Sequence, residues 1–233
     1  MAKKVIILSG AGLSASSGIS TFRDADGLWE KHDINEICSA GCLDWNYEAT
    51  INFYNLRRKN IEDKNPNNAH KMIAKLKDKY DDTIEVITQN VDDLLEKADC
   101  KDVIHLHGFL QELRCMNCND VLNIKYSLQD ESNSICKKCA SKMRPNIVFF
   151  GEAAPKYEKM YSLLEDCGLL VVIGTSGNVI DVNYLSQFAD YSILNNLESS
   201  GAIFEECFNK IYYEDANTAY KKIEEDIEEY INN

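Results

Sequence analysis

The first apolar run, Val5-Ile6-Ile7-Leu8, passes at once into Ser9-Gly10-Ala11-Gly12-Leu13-Ser14-Ala15-Ser16-Ser17-Gly18. Consecutive aliphatic residues suit a strand covered on both faces, and the Gly/Ser-rich stretch suits a turn that opens a helix. Two further runs repeat the pattern: Ile84 to Thr88 leads into Gln89-Asn90-Val91-Asp92, and Leu169 to Ile173 into Gly174-Thr175-Ser176-Gly177. Between them, Asn67 to Tyr80 carries Ala69, Met72, Ile73 and Leu76 on one helical face. Asn217 to Asn233, with Ala219, Ile223, Ile227 and Ile231, reads as a terminal amphipathic helix, and a further strand ends near Leu194. Strands alternating with helices predict an α/β fold with a doubly wound, largely parallel sheet. Such sheets bind ligands at the carboxyl ends of their strands, where all three polar clusters fall.

Of the 233 residues 45% are hydrophobic and 27% charged, ample for a core. Against 25 Lys and Arg stand 38 Asp and Glu, a net charge of −13, which argues against a phosphate-neutralising surface and so against direct nucleic-acid binding. No window approaches the roughly 20 apolar residues of a membrane span. Lys3, Lys4 and the short run after them fall below the roughly 7 to 15 apolar residues of a secretion signal. The expectation is a soluble, cytoplasmic protein without a membrane partner.

The nine cysteines are Cys38, Cys42, Cys100, Cys115, Cys118, Cys136, Cys139, Cys167 and Cys207, an odd set that does not read as a disulfide framework. Cys115-Met-Asn-Cys118 and Cys136-Lys-Lys-Cys139 stand 17 residues apart, within the spacing of a zinc ribbon. Four thiolates close a tetrahedral shell and leave no position for substrate, so the zinc is expected to be structural. The other five cysteines read as packing residues. The stretch from Arg114 to Arg144 reads as a small insertion too poor in apolar residues to form its own core.

Gly10-Ala11-Gly12 with Gly18 approximates the dinucleotide fingerprint G-x-G-x-x-G, but the third glycine comes late and no acidic residue follows at the usual distance. What lies beyond is more specific: Gly18-Ile-Ser-Thr-Phe22-Arg23, Gly27-Leu28-Trp29, Thr88-Gln89-Asn90-Val91-Asp92, His105-Leu-His107-Gly108, the two cysteine pairs, Arg144-Pro145, Val148-x-Phe150-Gly151-Glu152 and Gly174-Thr175-Ser176. In this order, and over nearly the whole chain, these blocks resemble the sirtuins, NAD-dependent protein lysine deacylases.

The resemblance implies a Rossmann-like NAD-binding domain from 1–30, 68–113 and 144–233. It implies a small lobe, part helical and part zinc-bearing, from 31–67 and 114–143, with the site in the cleft between. It places Gly10, Ala11, Gly12, Ser14, Gly18, Phe22, Arg23, Trp29, Gln89, Asn90, Val91 and Asp92 around NAD. Gly174, Thr175, Ser176, Asn196, Leu197, Glu198 and Ala216 are implied for its phosphates, ribose and adenine. His107 is implied as the base that takes a ribose proton, which suits an imidazole of ordinary pKa near 6.5. The resemblance likewise implies Asn90 beside the ribose and Asp92 as the holder of the nicotinamide amide. Val148, Phe150 and Gly151, with Gly177 to Val179 opposite, resemble the edges that hold an acyl-lysine peptide as an added strand.

Tyr54 and Arg57 stand three apart on a helix and share a face, where a phenol and a guanidinium can grip one carboxylate. A Tyr-x-x-Arg pair marks the sirtuins that remove succinyl as well as acetyl groups, and Cys38 falls at a small residue of their acyl pocket. The implied products are nicotinamide, free lysine and O-acyl-ADP-ribose. Departures from the family pattern are Ser20, Leu95 and Asp181, expected to alter loop stiffness. Two alternatives stay open: a protein mono-ADP-ribosyltransferase, and a catalytically silent NAD- and zinc-binding interaction module.

Overall fold

The computed structural model describes residues 3–20 and 34–233. Its strands are β1 (Lys4–Ser9), β2 (Ile84–Thr88), β3 (Ile104–His105), β4 (Gly108–Cys115), β5 (Val121–Asn123), β6 (Met143–Ile147), β7 (Cys167–Ile173), β8 (Tyr191–Asn196) and β9 (Lys210–Tyr213). The helices are α1 (Gly12–Ala15), α2 (Ile34–Ile37), α3 (Cys42–Trp45), α4 (Tyr47–Glu62), α5 (Asn68–Tyr80), α6 (Leu94–Lys97), α7 (Tyr157–Leu164), α8 (Val182–Ser186) and α9 (Ala216–Asn232).

The larger sheet has the order β3-β2-β1-β7-β8-β9 with parallel pairings throughout. From β1 the chain winds one way to β2 and β3, and from β7 the other way to β8 and β9. The crevice between the ends of β1 and β7 is therefore the switch point at which such sheets bind ligands. Along β1 the side chains alternate between two cores. Val5 and Ile7 join Ile73, Leu76, Ile223 and Ile227 under α5 and α9, while Ile6 and Leu8 join Met160, Leu164, Val182 and Leu185 under α7 and α8. All four β1 side chains are 0–1% exposed, as an unbroken aliphatic run requires. Asn67 starts α5 with a capping box, its side chain accepting from Ala69 N and His70 N.

The second sheet, β5-β4-β6, is antiparallel. It begins at Gly108 rather than at Arg114, so β4 leads out of the turn that holds His107 and ends on the cysteine ligand Cys115. A third core, with Cys38, Cys42, Phe53, Tyr54, Leu110 and Phe149, joins α2 to α4 to this sheet. Two strands are longer than the apolar runs alone implied. β7 starts at Cys167, and β8 continues to Asn196 because Asn195 and Asn196 pair with Tyr212 and Tyr213. Among the described residues no helix is long and apolar enough to cross a membrane.

Candidate active site

Strand β2 ends at Thr88, and the loop after it places Gln89, Asn90 and Asp92 beside the turn that follows β1. The Asn90 amide donates to Gly10 O (3.0 Å) and to Ser14 Oγ (3.1 Å). Ser14 Oγ in turn donates to Asp92 Oδ2 at 3.0 Å, and Leu94 N donates to Asp92 Oδ1 at 3.1 Å. Burial pushes the Asp92 carboxyl upward, opposed by these two donors. Behind Ser14 lies His70, whose Nε2 is 3.3 Å from Ser14 Oγ. The backbone N–H of Asn67 donates to His70 Nδ1 at 3.3 Å, so Nδ1 is an acceptor and Nε2 the donor to Ser14. Burial pushes the His70 pKa down to about 4, which keeps the ring neutral in this role. Nothing in the sequence singled out His70, since its partners lie far along the chain and its local signal is that of a capping residue.

His107 sits between β3 and β4. Its Nδ1 is 3.1 Å from the Gln89 carbonyl and its Nε2 is 2.9 Å from the Tyr157 hydroxyl. Burial lowers its pKa, while the Gln89 carbonyl works the other way. The lowered pKa favours the neutral ring. The neighbouring His105 is structural: Nδ1 meets Asn90 O at 2.9 Å and Nε2 meets Glu96 Oε1 at 2.7 Å.

The glycines of the first turn have a packing reason of their own. A Cβ on Gly10 would lie 2.7 Å from Gly174 O, and one on Gly12 would lie 2.7 Å from Gly174 Cα. Their hydrogens thus make room for the loop after β7. Gly12 N donates to Gly174 O at 2.8 Å, and α1 has four residues. Gln89 Nε2 reaches Thr175 Oγ1 at 3.1 Å, bringing the loops after β2 and β7 together. Asn196, expected in a loop, lies on β8 and donates its amide to Thr175 O at 2.8 Å. Ser200 Oγ donates to Ser176 O at 2.7 Å. Leu197 is 72% exposed, Glu198 is exposed, and Ala216 is buried at the start of α9. Gly18 takes φ +79° near Lys64, apart from Gly10 and Gly12. Val91 O accepts from Leu110 N at 2.9 Å. Ala11 carries no side-chain cap for α1. Phe22, Arg23 and Trp29 lie outside the described residues.

Of the residues expected to line an acyl pocket, Tyr54 and Arg57 lie on α4. Tyr54 is buried and stacks on Phe149, with centroids 5.5 Å apart and planes 6° apart. The Arg144 guanidinium covers the Phe149 ring at 3.9 Å and binds Glu152 through Nη1–Oε1 (2.5 Å) and Nη2–Oε2 (3.1 Å). Arg57 is half-buried, and the Tyr54 phenol, the Asp92 carboxylate and the Cys38 thiol all act on its charge. It lines a cleft of about 540 Å³ with Gly18, Ile19, Ser20, Asp63 and Lys64. Burial pushes the Cys38 thiol up to about 12, so it packs as an uncharged group. Arg58, the residue after Arg57 on α4, is fully buried, donating to Leu110 O at 2.8 Å and to Asn55 Oδ1 at 2.7 Å.

Beside this pocket, Val148 N donates to His107 O at 2.9 Å, and Gly151 takes φ +83° in the turn closed by Glu152 N on Phe149 O. Phe150 is 46% exposed, but its backbone is already paired: Phe150 N donates to Cys38 O and Ala40 N donates to Phe150 O, both at 2.8 Å. That pairing was invisible in the sequence, because nothing local links Cys38 to Phe150.

Cys115, Cys118, Cys136 and Cys139 bring their sulfurs within 4.8 Å of one another. The closest S–S separations are 3.4 to 3.6 Å, against an edge of about 3.8 Å for a tetrahedral ZnS₄ unit. Asn117 N and Cys118 N both point at Cys115 Sγ, the outer hydrogen bonds a zinc thiolate accepts. The cluster fits a structural zinc ion.

The Sir2 family model matches residues 10–181. The NAD-dependent protein deacylase of Campylobacter jejuni serotype O:2 is 50% identical over 230 residues, covering 98% of this chain and 97% of that protein. Among solved structures, a Sir2 homologue in complex with ADP-ribose superposes with a TM-score of 0.86 at 29% identity, covering 99% of this chain and 94% of that one. A Sir2 protein holding a deacetylated peptide and 3′-O-acetyl ADP-ribose superposes with a TM-score of 0.76 at 30% identity, covering 96% and 93%. With the parallel sheet, its switch-point site and the four-cysteine cluster already in place, these likenesses over almost the full length show that the chain belongs to the Sir2 family.

Proposed function

We propose that this chain is an NAD-dependent protein-lysine deacylase that moves the acyl group of a modified lysine onto ADP-ribose and releases nicotinamide. The observation that carries this reading is His107, a neutral imidazole at the carboxyl edge of the sheet with its Nδ1 engaged by Gln89 and its lone pair on Nε2. Bound NAD supplies an electrophilic ribose carbon and a leaving nicotinamide. The chain supplies the rest. His107 Nε2 takes the proton of a ribose hydroxyl. Asp92 keeps acceptor capacity on both oxygens for the carboxamide N–H, and Ser14 and His70 hold it in place. Asn90 and Gln89 would lie beside the ribose.

Acylated protein lysines are the substrate class, entering as a strand alongside Gly151 and Gly177 to Val179, since Cys38 and Ala40 already occupy the backbone of Phe150. Tyr54 and Arg57 suit an acidic acyl group such as succinyl as well as acetyl. The six-stranded parallel sheet supports an NAD-binding domain, and the small antiparallel sheet, which takes in β4 from Gly108 and β6 to Ile147, supports a separate zinc lobe. Cysteines kept as thiols suit a reducing cytoplasm.

Replacing His107 with Tyr is expected to abolish nicotinamide release from NAD in the presence of an acyl-lysine peptide, with zinc content and melting temperature retained. Undiminished turnover would refute the assignment of the base.

A further inference from the structure

Both ring nitrogens of His107 are engaged within the folded chain. The Gln89 carbonyl 3.1 Å from Nδ1 can only accept, so Nδ1 carries the proton. Nε2 is then a bare lone pair, and the group 2.9 Å from it, the Tyr157 hydroxyl, is its donor. An imidazole nitrogen offers a single lone pair in the ring plane. The ribose hydroxyl needs that same lone pair, and two hydroxyls cannot both hold it well.

We propose that Tyr157 is a positioning residue for the base: its hydroxyl caps Nε2 in the substrate-free chain, fixes the Nδ1–H tautomer, and gives up the lone pair when the ribose hydroxyl arrives. This rests on the reading of His107 as the general base.

Tyr157 is the first residue of α7, which is anchored by Met160 and Leu164, each 1% exposed. The phenol therefore approaches from a fixed helix, 50 residues away in sequence. The two rings lie 6.0 Å apart and are tilted by 44°, so they meet through the hydroxyl and not through stacked faces. Burial raises the Tyr157 pKa and Tyr161 adds to it, which keeps the phenol protonated as a donor. The groups facing His107 are neutral, with the Gln89 carbonyl from the β2 loop and the phenol from α7. Among the described residues no charged side chain contributes to its shift. A bond donated to the neutral ring favours that form and holds the imidazole pKa down.

Tyr157→Phe keeps the ring and removes only the hydroxyl. The His107 pKa, followed by NMR on the full zinc-loaded chain without NAD, is expected to rise by roughly 0.4 to 1 unit in the variant. The acid limb of kcat/KM for NAD is expected to move up by the same amount. An unchanged His107 pKa in a variant of native melting temperature overturns the role of Tyr157. A raised pKa with an unmoved acid limb upholds the contact and tells instead against His107 as the base.

Discussion

At Arg57 a guanidinium sits half-buried between a phenol, a carboxylate and a thiol, and burial lowers its pKa. A cation held in this way gains most from an incoming carboxylate, through a charge-assisted hydrogen bond worth about 1.5–3 kcal/mol. Arg57→Met is therefore expected to lower kcat/KM for a succinyl-lysine peptide by roughly 10- to 100-fold. Turnover of the acetyl peptide, which offers no charge, should change far less. Equal losses on both peptides would contradict the clamp. Its neighbour Arg58 shows the limit of reading residues singly. On a helix the two point about 100° apart, so one faces the cleft while the other is buried against Leu110 O and Asn55, with its pKa lowered to about 10. His107 was legible because it stands within a motif; His70 and Tyr157 were not, because their meaning comes from partners 56 and 50 residues away.

Among the elements, β2 was legible to the residue, since an apolar run between polar turns fixes both of its ends. β8 and β4 were not: Asn195 is a strand residue because it pairs with Ile173 of β7 and Tyr212 of β9, Asn196 because it pairs with Tyr213, and the start of β4 is set by β6 across the sheet. The Gly108 end of the small sheet packs through Leu110 and Ile147 on α2 to α4, but its other end has only Leu113, Cys115, Cys136 and Met143 as the buried residues of its cluster. Two of these are zinc ligands. Strand β4 runs eight residues from the neighbour of the base to Cys115. Removing zinc with a chelator is therefore expected to unfold the cluster end of β4 to β6 and to end turnover, though none of the four cluster cysteines touches the site, while most helical circular dichroism survives. Full activity in protein shown by metal analysis to be zinc-free would be inconsistent with this coupling.

Across the whole molecule the two sheets meet at Leu106 to Gly108. Gly108 has φ +95°, and a Cβ there would fall 1.9 Å from Asn146 O. Gly108→Ala would meet both a backbone conformation costing roughly 1–2 kcal/mol for a side chain and a clash that only separation of β4 from β6 relieves. The expected outcome is a melting temperature lower by several degrees and deacylation reduced at least tenfold, read by calorimetry and peptide assay. A variant with native stability and rate would show that the seam is slack. At the other end of the site, Gly10, Gly12 and Gly174 pack backbone on backbone where β1 and β7 end. Most of the chain can be respelled while its chemistry is kept, but this corner admits an alphabet of one letter. Any other letter would wedge the central strands apart at the crevice between the ends of β1 and β7.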